Sequence, residues 1–144
     1  MALFGFGKKA KKAVNEMKKM ERRDYLEAIV GSSLLVAAAD GEIEKEESVK
    51  IDQLLRTNKN LAHFGSEITD LVNRFTELLQ ADFRSGKLQI MREIGDIQGD
   101  QQEKEDLIVM MLAIAESDGE VEEKERQVMD AVCQKLGMRL SDFE

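Results

Sequence analysis

Apolar side chains recur along this chain at intervals of three and four, and strict strand-like alternation is absent. The period predicts a succession of amphipathic helices. Leu26, Ile29, Val30, Leu34 and Ala37 form one stripe, which stops at Asp40-Gly41. A short helix is expected from about Glu44 to Arg56, with Ile51, Leu54 and Leu55 inward. Thr57 to Asn60 breaks the period, and Leu61 to Phe64 reads as a short packed turn. Ser66 is the expected N-cap of a longer helix whose stripe is Ile68, Leu71, Val72, Phe75, Leu78, Leu79 and Phe83, with a break at Ser85-Gly86. Leu88, Met91, Ile94 and Ile97 mark another short helix that stops near Gly99.

Asp100 and Glu103 have the spacing of a capping box, in which each side chain accepts from a free amide at a helix start. The helix they open carries Leu107, Ile108, Met111, Leu112, Ile114 and Ala115 and ends at Asp118-Gly119. Val128, Met129, Val132, Cys133 and Leu136 lie on a last helix, capped at Gly137. With a basic N-terminal helix, the pattern predicts an all-α compact bundle of about seven helices joined by short connections.

The composition agrees, since the 144 residues include neither Pro nor Trp and fit one compact domain. Charge divides the chain. Residues 1–23 hold eight basic side chains against two acids, a net +6, so in a chain of net charge −8 the remainder carries −14. A basic arm over 1–23 is therefore expected on an acidic domain over 24–144. Lys8, Lys9, Lys11, Lys12, Lys18 and Lys19, with Leu3, Phe4, Phe6, Val14, Met17 and Met20 as the apolar side, suit a helix that seeks an anionic membrane surface. The other reading is a solvated tail. The acidic body repels nucleic-acid phosphate and attracts cations or basic partners, so no nucleic-acid ligand is expected. The single cysteine, Cys133, points to a reducing cytoplasm. No apolar run reaches the roughly 20 residues needed to span a bilayer, and the short apolar start, followed by its lysines, is expected to be retained.

An internal repeat supplies the candidate chemistry. A shift of 78 positions aligns Asp40-Gly41-Glu42-Ile43-Glu44 and Glu47 with Asp118-Gly119-Glu120-Val121-Glu122 and Glu125, and the flanking stripes match too, as in Leu34 with Leu112 and Ile51 with Met129. Two related helix-turn-helix units are expected, their corners close in space. Gly41 and Gly119 suit the left-handed position beyond a helix end, and the acids that follow suit the first turn of the next helix. One reading makes these acids helix caps. The other makes Asp40, Glu42, Glu44, Glu47, Asp118, Glu120, Glu122 and Glu125 the source of ligands for a weakly held divalent cation, Ca²⁺ foremost, which takes roughly six to eight oxygens. A standard EF-hand does not fit. With Asp40 at loop position 5, positions 1 and 3 fall on Val36 and Ala38, which cannot ligate.

Two Ala-x-x-Asp-Gly-x-Ile/Val-x-x-x-Glu corners, joined by a segment running from His63-Phe-Gly-Ser-Glu-Ile to Ile94-Gly-Asp-Ile-Gln-Gly-Asp100, resemble the TerB family of tellurite-resistance proteins over essentially the whole chain. The resemblance implies a compact helical bundle with an acidic surface suspected of metal binding, and no enzyme activity. It implies work in stress resistance beside a TerC-like membrane protein or other stress-complex proteins, in the cytoplasm and at the inner membrane face. Carried over, the acidic positions are Asp40 and Glu47 in one corner and Asp118 and Glu125 in the other. Ala38-Ala39 against Glu116-Ser117 makes the two corners unequal. The alternative is a structural interaction module without a metal.

The remaining residues offer no catalytic set. His63 is the sole histidine and lies in the Leu61 to Phe64 turn, and Cys133 sits on an apolar stripe as a small hydrophobe. Zinc-ligand spacing is absent, as are phosphate-binding and dinucleotide-binding loops.

Overall fold

The computed structural model describes residues 22–144 apart from 98 and 118. Among the described residues six α-helices follow one another: α1 Arg23–Ala37, α2 Lys45–Arg56, α3 Ser66–Ala81, α4 Phe83–Gly95, α5 Gln101–Glu116 and α6 Glu123–Lys135. Short 3-10 turns occupy Ala62–Phe64 and Leu140–Phe143, and no strand occurs among the described residues. The all-α class expected from the apolar period is present. The expected basic N-terminal helix, with its six lysines, lies outside the described residues.

α1 is the spine. It packs on α4, α5 and α3 and also meets α2 and α6, and every residue from Tyr25 to Val36 except Glu27 is buried. A helix covered on all sides must satisfy its polar groups internally. Ser32 and Ser33 do so by donating to the Ile29 carbonyl, at 3.2 and 2.6 Å. Gly31 lets α4 approach, because a Cβ there would stand 2.6 Å from Cγ2 of Ile90.

Two expectations along α3 and α4 need correction. Ser66 is the first residue of α3 and not its cap, since Gly65 holds the N-cap position with φ of 56°. The chain breaks at Asp82, not at Ser85-Gly86. Asp82 is extended and its carboxylate accepts from the Ser85 amide at 3.4 Å, so α4 opens with Phe83 and runs through Gly86. Gly86 is buried against the Leu78 backbone, where a Cβ would lie 3.1 Å from the carbonyl carbon and oxygen. With the start shifted, the buried face of α4 becomes Gly86, Ile90 and Ile94, and Leu88 turns outward at 53% exposure.

Candidate functional site

The two Asp-Gly corners fold as their glycines require. Gly41 and Gly119 adopt φ of 94° and 112°, and their amides donate to the carbonyls of Ala38 and Glu116 at 2.8 and 3.0 Å. In the first corner the Asp40 carboxylate accepts from the Glu42 amide at 3.1 Å. Ile43 is buried beneath it, with its carbonyl taken by the Gln80 side chain of α3 at 3.1 Å. In the second corner Val121 is half-buried, and the Glu125 carboxylate accepts from the Glu122 amide at 3.0 Å, which caps α6.

The corners meet. A cleft of about 250 Å³ is lined by Glu44 and Glu47 from the first, by Ser117 and Glu125 from the second, and by Lys50, with Ile51, Leu54 and Ile114 at its base. Of the remaining candidate ligands, Asp40, Glu42, Glu120 and Glu122 are exposed away from that lining. Asp118 lies outside the described residues. No three described carboxylates of the corners bring ligand atoms within 4.8 Å of one another.

A second acidic region was not foreseen. Asp24 of α1 and Glu93 and Asp96 at the end of α4 do place ligand atoms within 4.8 Å of one another. Glu93 shares a hydrogen bond with Glu27. That bond, partial burial, and the charges of Glu27, Asp96 and Asp24 raise its carboxyl to about 7. Acids in a last turn oppose the helix dipole, so the Glu93/Asp96 pair was the signal available in the sequence.

Asp24 and Asp96 also line a cleft of about 570 Å³, with Arg22, Asn60, Asp100, Glu103 and Asp106. Asn60 donates to Asp106 at 3.1 Å, and Arg22 stands 4.0 Å from Glu103. Glu103 is pushed up by burial first and by the neighbouring Asp100 second. Behind this wall the fully buried Tyr25 hydroxyl reaches towards Asp106 without completing a hydrogen bond of normal geometry. Burial and then the Asp106 charge push its phenol well above the ordinary range.

The family model for "Tellurite resistance protein TerB" matches residues 26–144, which takes in both corners and all six helices but for the start of α1. The chain belongs to the TerB family. No curated protein and no solved structure matches it. This TerB-family chain has, among its described residues, no helix long and apolar enough to cross a membrane. His63 is exposed with its ring centroid 4.0 Å from that of Phe64, and Cys133 is buried in the core. Neither adjoins the cleft between the corners.

Proposed function

We propose that this member of the tellurite-resistance family is a non-enzymatic, acidic adaptor whose paired corners hold a divalent cation weakly, Ca²⁺ foremost. It would work at the inner membrane face with a TerC-like membrane protein, and the basic arm would supply membrane contact. The observation that carries the reading is the shared cleft, in which Glu44 and Glu47 of one corner face Glu125 of the other. Carboxylates kept close repel one another, and a cation that binds only the folded state relieves that repulsion. Glu44, Glu47 and Glu125 would hold the ion, which would supply a charge link between the two repeats.

A structural interaction module without metal is the second reading. It is favoured by the use of Asp40 and Glu125 as acceptors for backbone amides. The two separate by thermal melting in millimolar Ca²⁺ against monovalent salt of matched ionic strength. The adaptor requires a Ca²⁺-specific rise in Tm that disappears in Glu47→Gln with Glu125→Gln. Equal responses to the two salts would leave the acids as caps and partner contacts.

A further inference from the structure

We infer that residues 6–20 of the basic arm dock as a helix on the outer face of α5, where they stand to α5 as α4 stands to α1. α5 is short of cover. Leu107 to Ala115 is an unbroken apolar run, and a helix apolar on all sides is expected to be enclosed, as α1 is. Within the run Leu107, Ile108, Met111, Ile114 and Ala115 are buried, whereas Val109 is 56% exposed, Ala113 is exposed and Leu112 is half-buried. Val109, Leu112 and Ala113 have the spacing of a single helix face, and the described residues leave that face open.

The repeat points to the occupant. The shift of 78 positions that aligns the two units pairs Gly31 with Val109 and Glu27 with Glu105. Ahead of the units, a shift of 77 pairs Phe6, Val14, Met17 and Met20 with Phe83, Met91, Ile94 and Ile97, and Glu16 with Glu93. The apolar stripe of α4 is therefore repeated in the arm, with one residue fewer before the helix that follows. α4 packs most extensively on α1. The two run antiparallel, since Ile90 faces Gly31 while Glu93, later in α4, bonds to Glu27, earlier in α1. The same crossing in the other unit sets the arm on α5 with Ala13 against Val109. Bulk is exchanged across the contact, glycine meeting isoleucine in one unit and valine meeting alanine in the other.

Reach and charge agree. Arg22, where the arm joins α1, stands 4.0 Å from Glu103 in the first turn of α5, so the arm begins beside the helix it covers. A helix over residues 6–20 extends about 22 Å, against about 20 Å from Glu103 to Glu116. The arm is basic, with a net +6 over residues 1–23, and the open face is bounded by the exposed Glu105 and Glu116. Docking hides the apolar side that the proposed function turns to the membrane, so release from α5 would precede membrane contact. The docking itself depends on neither that contact nor the cation, and its test contains no lipid and no calcium.

Hydrogen exchange of the full chain is followed amide by amide. An isolated helix of this length is marginal in water, so protection over residues 6–20 requires a surface to dock on. The expected result is protection there, lost in Val109→Asp while α1 stays protected. Cysteine pairs locate the contact, since Cys133 is buried and does not compete. Under mild oxidation, Ala13→Cys with Val109→Cys should close within one chain about tenfold or more faster than Ala13→Cys with Leu88→Cys, which tests an exposed position on α4. An unprotected arm overturns the inference, as do equal closure rates and cross-links that join two chains, which would make a second copy the occupant. Wild-type exchange decides the matter should a variant fail to fold.

Discussion

Gly31 of α1 and Ile90 of α4 approach so closely that a Cβ at Gly31 would stand 2.6 Å from the Ile90 Cγ2 methyl. The obstructing atom belongs to a β-branched side chain with little freedom at χ1. Gly31→Ala gains up to about 1 kcal/mol in helix propensity, but overpacking costs about 1–3 kcal/mol. The expected outcome is a lower midpoint in urea. Combining Gly31→Ala with Ile90→Val, which keeps the branch, should recover little, whereas Ile90→Ala should show strong non-additivity with Gly31→Ala.

Glu93 gives a pH signature. Its carboxyl is raised to about 7 in the folded protein by the Glu27 hydrogen bond, burial and the Glu27, Asp96 and Asp24 charges, while the unfolded chain ionises near the ordinary value of about 4.3. Between these values the folded state holds more protons, so this group's contribution to stability falls as pH rises through about 7. Glu93→Gln should raise Tm above wild type at pH near 8, with the gain shrinking towards the ordinary glutamate range. A gain that does not vary with pH would show that the shared proton is absent.

Tyr25 can be followed alone by ultraviolet absorbance, because the chain has no other tyrosine and no tryptophan. Its phenolate should not form in the ordinary range near 10, since burial and Asp106 hold the phenol higher. It should ionise only as the protein unfolds in strong base. The unmade hydrogen bond also makes Tyr25→Phe mild, because removing an unpaired buried hydroxyl removes a desolvation cost of about 1–3 kcal/mol. Thermal stability should be unchanged or higher, and a loss of several degrees would mean that the hydroxyl is bonded after all.

Cys133 is buried in the core and its thiol is pushed up to about 11, by burial first and by Asp130 second. Thiolate is the reactive form. A thiol reagent at pH near 8 should therefore react only at the rate of unfolding, and added denaturant should release one equivalent at once. Immediate reaction with the native protein would place the sulfur at the surface.

The corners were legible in the sequence because their signals are local. Gly41, Gly119 and Gly137 all take positive φ, which a residue with a Cβ rarely adopts. The α3–α4 junction was misread because Asp82 breaks the helix through its own extended backbone, while Gly86, which looked like the breaker, serves a close helix contact. That shift of phase sent Leu88 to solvent. The cleft at Asp24, Asn60, Asp96 and Asp106 was not legible, since its wall is assembled from three separate parts of the chain, around Asp24, at Asn60 and over 96–106, that no spacing relates. The repeat was also read more evenly than the fold treats it. Gly31 and Val109 occupy matching positions, yet Gly31 is buried in the spine and Val109 is 56% exposed.

The position of α1 bears on how the chain can be cut. Of its neighbours, α2 belongs to the first of the two related units and α5 and α6 to the second, with α3 and α4 between them. Neither fragment produced by cleavage between α3 and α4 should hold structure alone. Mixed together, the two should reassemble around α1, whose cover is divided between them.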